Sequence, residues 1–132
     1  MAGLQGLEEN LSGEGLHVLG FYSNDFGNQG GDPDDIAACT EDHGITFDQF
    51  LIAPVKSPDA QPVFAWLYAQ PSPGPSASVE PTWNFHKYLI ARDGQLVAHW
   101  DSGDYPGDDP NNPNDDFDTN PIVVAIKAEL AK

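Results

Sequence analysis

The chain has 132 residues, 39% of them hydrophobic and 11% aromatic, which is enough to bury one core in one domain. Its 21 Asp and Glu face 5 Lys and Arg, for a formal net charge of -16. That balance argues against binding nucleic-acid phosphates or anionic membrane surfaces, which need cationic contacts, and suits a solvated acidic surface screened by cations.

Leu4, Leu7 and Leu11 recur at helical spacing with Glu8 and Glu9 on the polar side, and Gly13 and Gly15 end the helix. Leu16-His17-Val18-Leu19-Gly20-Phe21 reads as a buried strand, followed by an Asn/Asp/Gly loop from Ser23 to Gly31. Asp32 offers a cap and Pro33 a first helical residue, with Asp34 and Asp35 in the first turn. That helix runs through Ile36 and Cys39 and stops near Gly44. Phe47, Phe50, Leu51 and Ile52 are expected to supply core residues from an extended connection. Ser57-Pro58 opens the next predicted helix, with Val63, Phe64 and Leu67 as its apolar stripe.

Pro71 to Pro81 is a Pro/Ser/Gly loop. His86 to Ala91 and Gln95 to Trp100 flank Arg92-Asp93-Gly94, a hairpin signal. Residues 101–119 form an acidic surface loop, and Asn120-Pro121 caps a last helix with Ile122, Val123, Ile126 and Leu130 facing the core. The order helix, strand, helix, helix, hairpin, helix indicates an α/β fold with a mixed sheet flanked by helices, in one domain, 1–132.

The chemistry centres on Trp83, Asn84 and Gln29, whose N–H donors stay neutral at ordinary pH. Converging on one point, such donors stabilise a soft anion, a thiolate or selenolate, and polarise a peroxide O–O bond. Cys39 is the only cysteine, so no internal disulfide forms. His17, His43, His86 and His99 lack paired metal-ligand spacing, and surface or packing roles are expected of them. The Asp-rich segment Asp101, Asp104, Asp108, Asp109, Asp115, Asp116 and Asp118 suggests calcium, but without EF-hand spacing a solvated loop is the better reading. No cofactor or metal is expected. The N-terminus lacks a basic region and an apolar core, and no run is long enough to span a bilayer, so a cytoplasmic location is expected.

These residues resemble the glutathione peroxidase family. Its motif Cys-Asn-Gln-Phe-Gly-x-Gln-Glu-Pro corresponds to Ser23-Asn24-Asp25-Phe26-Gly27-Asn28-Gln29-Gly30-Gly31, and its Trp-Asn-Phe motif is intact at Trp83, Asn84 and Phe85. Gly44-Ile45-Thr46-Phe47, Ala60-Gln61-Pro62 and Arg92-Asp93-Gly94 are further landmarks, in the family's order. The resemblance covers nearly everything but the acidic loop. It implies a thioredoxin-like fold and reduction of hydrogen or organic hydroperoxides by a thiol reductant, in defence against oxidative stress.

Gln29, Trp83 and Asn84 resemble three members of the family's catalytic tetrad. The fourth, a peroxidatic cysteine or selenocysteine, precedes the segment matching Ala2-Gly3-Leu4-Gln5, so the first core strand and the nucleophile are expected to be missing from these residues and the chain alone to be inactive. A selenocysteine codon read as a stop would produce such a start at Met1. Loss of a mid-sheet strand predicts repair by direct pairing of the Leu16–Phe21 strand with the hairpin, by strand exchange in a homodimer, or by disorder at the N-terminus. Two departures stand out. Gly30-Gly31 replaces the family's Glu-Pro, which predicts a looser loop, and Asp25 replaces a Gln, with its carboxylate expected to point outward. Cys39 is either a resolving cysteine, as in thioredoxin-dependent members, or a small buried helix residue. Arg92 and Lys87 are the only cations available in the hairpin for glutathione carboxylates, which favours thioredoxin over glutathione as reductant. The alternative is a non-catalytic thioredoxin-like binding or structural module.

Overall fold

The computed structural model describes residues 1–75 and 78–132. Among the described residues eight regular elements follow one another: α1 (Ala2–Leu11), β1 (Leu19–Phe21), α2 (Pro33–Asp42), β2 (Asp48–Phe50), α3 (Pro62–Ala69), β3 (Lys87–Ile90), β4 (Leu96–Trp100) and α4 (Pro121–Leu130). Short 3-10 turns cover Ser12–Glu14 and Phe117–Thr119. The chain is organised as two compact units, Met1–Gly20 with Asp34–Phe50 and Tyr105–Lys132, and Phe21–Pro33 with Leu51–Asp104.

The first unit holds α1, α2, β2 and α4. Leu7 and Leu11 of α1 are buried, as the leucine spacing predicts, and Gly15 ends the 3-10 turn that follows the helix at φ 109°, a left-handed conformation that glycine adopts without strain. Gln5 is buried beside them. Its Oε1 accepts from Thr46 N–H at 2.9 Å, and its Nε2 donates to Thr46 Oγ1 and to Glu9 Oε1, each at 3.0 Å. Asn120 caps α4: its Oδ1 accepts from Ile122 N–H at 3.0 Å, while its Nδ2 donates to Tyr105 O at 2.9 Å and Gly107 O at 3.1 Å. One amide thus satisfies both a helix start and the incoming loop. Ile122, Val123 and Ile126 are buried behind it. The acidic loop is exposed along most of its length, with Pro106 and Gly107 buried.

The second unit holds α3 and the β3–β4 hairpin around a core of Phe26, Val55, Phe64, Leu67, Val79 and Leu96. Phe64 meets Phe21 edge-to-face at 5.5 Å and Tyr88 at 6.1 Å. Each side chain so buried contributes about 1.5–3 kcal/mol. The hairpin register runs Lys87 to Trp100, Tyr88 to His99 and Leu89 to Ala98, with a bulge between Leu89 and Ile90. Gly94 turns the chain at φ 85°, and Asp93 Oδ1 accepts from Gln95 N–H at 3.0 Å. That is the chemistry an Asp-Gly turn supplies.

Several expectations need correction. The helix predicted from Ser57-Pro58 starts at Pro62 instead. Ser57 N–H donates to the Glu80 carboxylate at 2.8 Å, and Ser57 and Pro58 lie in a turn. Phe64 and Ala65 N–H instead find Gln61 O, each at 3.0 Å, with Pro62 in the first turn. Phe50 is 44% exposed and Leu51 84%, not core. Alternation along β2 explains Phe50: Phe47 points inward, and residues of opposite parity point out. The Leu16–Phe21 run yields only the three-residue strand β1, with Leu19 50% exposed.

The sheet falls into two two-stranded pieces, β1–β2 and β3–β4. Direct pairing of β1 with the hairpin is therefore not formed, and the N-terminus is a helix from Ala2 rather than a disordered arm. Ser76 and Ala77, within the predicted Pro71–Pro81 loop, lie outside the described residues. Val79, in the same loop, is a core residue.

Candidate functional site

The Ser23–Gly31 loop is set by sterics and one carboxylate. Gly27 (φ 65°) and Gly31 (φ 71°) take left-handed backbone, as does Asn28 at φ 55°. At Gly30 a Cβ would lie 2.5 Å from Ser23 O and 2.8 Å from Asn24 Oδ1. Asn24 Nδ2 reaches across to Gly31 O at 3.2 Å. The Gly30-Gly31 pair therefore packs this loop tightly, contrary to the expected loosening: the missing side chains let two backbone segments touch.

Asp25 explains its own substitution. Its Oδ2 accepts from Val55 N–H at 2.7 Å and Lys56 N–H at 2.9 Å. These backbone bonds, aided by Ser23 and the Lys56 charge, hold the carboxyl below its ordinary value of 3.8 despite the opposing effect of desolvation. The carboxylate is thus spent on tying the loop to the segment before α3.

Trp83 and Asn84 arrive on a turn of unusual backbone, since Phe85 has φ 59° without being glycine. Asn84 Nδ2 donates to Gln29 Oε1 at 2.7 Å and to Phe26 O at 3.4 Å, joining two motifs 55 residues apart. The Trp83 ring lies 6.0 Å from that of Phe26, and a Cβ at Gly27 would sit 3.8 Å from its Cη2 and 3.9 Å from Gln29 Nε2. Gln29, Trp83 and Asn84 are therefore brought together around one loop. Trp83 is half-exposed and Gln29 exposed, so the cluster is open to solvent.

Lys56 places its ammonium 5.6 Å from the Phe26 ring centroid. No motif marks Lys56, and only the carboxylate at Asp25, in place of a neutral amide, hints at a tie to a second segment. Lys87 is less available than the sequence suggests. It is half-buried, and its Nζ donates to Asp101 O at 2.8 Å and Asp104 O at 2.5 Å. Cys39 lies half-buried on α2, in the other unit. Among the described residues no group of three or more His, Cys, Asp or Glu is arranged to hold a metal ion, and no helix is long and apolar enough to cross a membrane.

No protein-family model matches the chain. It is 32% identical over 116 residues to the glutathione peroxidase homolog BsaA of Bacillus subtilis, covering 86% of this chain and 69% of that protein. It is 36% identical over 100 residues to a glutathione peroxidase of Lactococcus lactis (74% and 62%), and 36% over 107 residues to the hydroperoxy fatty acid reductase gpx1 of Synechocystis (76% and 63%). The chain thus spans about 62% of the length of several curated relatives. Among solved structures, the crystal structure of Trgpx in its apo form superposes with a TM-score of 0.70 at 26% identity, covering 98% of this chain and 69% of that one. The fold is thioredoxin-like α/β.

Proposed function

The chain belongs to the glutathione peroxidase family, and from that membership we propose that Gln29, Trp83 and Asn84 serve thiol-dependent reduction of hydroperoxides. The observation that carries this reading is the Asn84–Gln29 bond with Trp83 against the same loop. In the proposed step a thiolate or selenolate attacks one peroxide oxygen, and the O–O bond breaks. The chalcogen becomes a sulfenic or selenenic acid, the departing alkoxide or hydroxide takes a proton, and thiols reduce the acid back. The amide and indole donors hold the anion before attack.

The nucleophile is proposed to come from a cysteine or selenocysteine outside these 132 residues. Both hydrogen peroxide and organic hydroperoxides are proposed substrates, the latter in keeping with the name of the Synechocystis relative. A protein reductant of the thioredoxin kind is preferred over glutathione, because the net charge of -16 repels an anionic thiol and Lys87 is engaged by the loop after β4. Cys39 as resolving thiol and a cytoplasmic location belong to the same proposal.

The test has two arms. The purified 132-residue chain, mixed with hydroperoxide and thioredoxin or glutathione, is expected to show no turnover. The chain extended by the residues encoded upstream of Met1, with cysteine at an in-frame TGA or TGC codon, is expected to show it. Turnover by the short chain overturns the external nucleophile; none from the extended chain overturns the peroxidase reading. A second reading, a binding or structural module, is favoured by the exposure of Trp83 (50%) and Phe85 (53%) beside the site. It predicts an inactive extended chain and, if strands are exchanged, a dimeric mass in solution.

A further inference from the structure

One titratable cluster around a buried histidine has no part in that chemistry. His86, the residue after Trp83-Asn84-Phe85, has a side chain only 5% exposed. Its Nε2 lies 3.1 Å from His99 Nδ1. The two rings are 19° from parallel with centroids 5.2 Å apart. That separation is what imidazoles give when they meet nitrogen to nitrogen in nearly one plane, so a single shared hydrogen lies between them. A metal ion does not fit there, because two Zn–N bonds of about 2.0–2.1 Å need lone pairs that converge from the sides.

The other nitrogen, His86 Nδ1, is buried without a hydrogen-bond partner, and the Asp101 carboxylate stands 3.3 Å away. A carboxylate only accepts, so the neutral arrangement that suits all three groups puts a hydrogen on His86 Nδ1. His86 Nε2 then accepts from His99 Nδ1–H. One extra proton can be held at the outer nitrogen of His99 with the shared hydrogen still between the rings. Two cannot, since both facing nitrogens would then be donors on adjacent cations.

We propose that the Asp101–His86–His99 chain is a proton-sensitive clamp that positions the Trp83–Asn84 turn against the hairpin. His86 connects the two parts. It follows the turn directly in sequence, and it is pinned laterally by His99 of β4 and packed against Tyr88 of β3, the rings tilted by 41° with centroids 4.8 Å apart. Charged and titratable groups face it from every neighbouring element. Lys87 and Tyr88 come from β3, His99 from β4, and Asp101 and Asp104 from the loop after β4. Burial first, then His99 and Lys87, hold His86 below its ordinary 6.5, against the pull of Asp101 and Asp104. The unfolded chain therefore protonates His86 near 6.5, whereas the folded pair resists that proton once the other ring is charged, and the clamp weakens as pH falls below that value. The positions of Trp83 and Asn84 then follow the protonation of residues outside the donor set. This is independent of whether the chain turns over peroxide.

The experiment is a pH titration of the 132-residue protein by nitrogen-15 NMR, following the His86 and His99 ring nitrogens, Trp83 Nε1–H and the Asn84 side-chain amide together. The expected result is a common midpoint for the His86 ring, Trp83 Nε1–H and the Asn84 amide. In His99→Gln, which keeps a hydrogen-bonding group opposite His86, the Trp83 and Asn84 step should vanish while circular dichroism remains native. Trp83 and Asn84 resonances that stay flat through the imidazole titration overturn the clamp. So does a step that persists unchanged in His99→Gln. Should that variant unfold, the wild-type titration decides alone, and Asp101→Asn, at an exposed side chain, is expected to move the shared midpoint downward.

Discussion

Gly30 and Asp25 define the site loop at the scale of single residues, and each makes a checkable demand. Gly30→Ala puts a methyl 2.5 Å from the Ser23 carbonyl, where the obstacle is backbone and cannot rotate away. The expected cost is about 1–3 kcal/mol, read as a lower denaturation midpoint with unchanged m-value. Asp25→Ala removes acceptors from two N–H groups. Solvent screens that carboxylate, so the loss should be on the order of 1 kcal/mol rather than the ~1.5–3 of a buried charged bond. Because its pKa is depressed when folded, this contribution is complete above 3.8 and fades as pH falls below it. Comparing acid unfolding of wild type and Asp25→Asn checks the sign: the variant's stability should depend less on pH there. The grouping of Gln29, Trp83 and Asn84 around one loop was legible because two fixed motifs name them. The anchoring role of Asp25 was not, because its partners are backbone N–H groups that carry no sequence signature.

Elements were legible where local chemistry specifies them and obscure where a distant group decides. Asp93-Gly94 makes the hairpin turn and Asn120-Pro121 starts α4, both within a few residues of the signal. The α3 start was misplaced because Ser57-Pro58 carries the same local signature as Gln61-Pro62. What separates them is Glu80, 23 residues away, which takes the Ser57 N–H. Likewise Phe50 and Leu51 look like core by composition, and only the parity of β2 turns Phe50 out. Asn120→Ala loses an N-cap and leaves the Tyr105 and Gly107 carbonyls without their donor. It should cost about 1–2 kcal/mol, seen as a drop in melting temperature. Leu11→Ala, at a side chain only 2% exposed, should cost about 2–5 kcal/mol by leaving a cavity on α1.

For the whole molecule the dominant fact is charge. A net charge of -16 over 132 residues favours expansion through self-repulsion. Raising NaCl from about 0.1 M to about 1 M shortens the screening length from roughly 10 Å to 3 Å. The melting temperature is therefore expected to rise across that range; a flat or falling series in calorimetry would contradict it. Three of the five basic residues, Lys56, Lys87 and Arg92, belong to the unit that carries the site. The family and its α/β class were readable from five ordered landmarks. The division into two units was not, since its boundaries at Gly20–Phe21 and Phe50–Leu51 cut through continuous apolar runs.

The amide of Asn84 has both its hydrogens committed, one to Gln29 and one to Phe26. A visitor seeking the Asn84 amide must therefore displace an existing bond. A neutral hydroxyl or thiol offers an acceptor no better than the carbonyl it would replace, so the exchange brings it almost nothing. An anion forms bonds roughly twice as strong and can compete. The clasped Asn84 amide thus acts as a threshold, indifferent to uncharged guests and responsive to ionised ones.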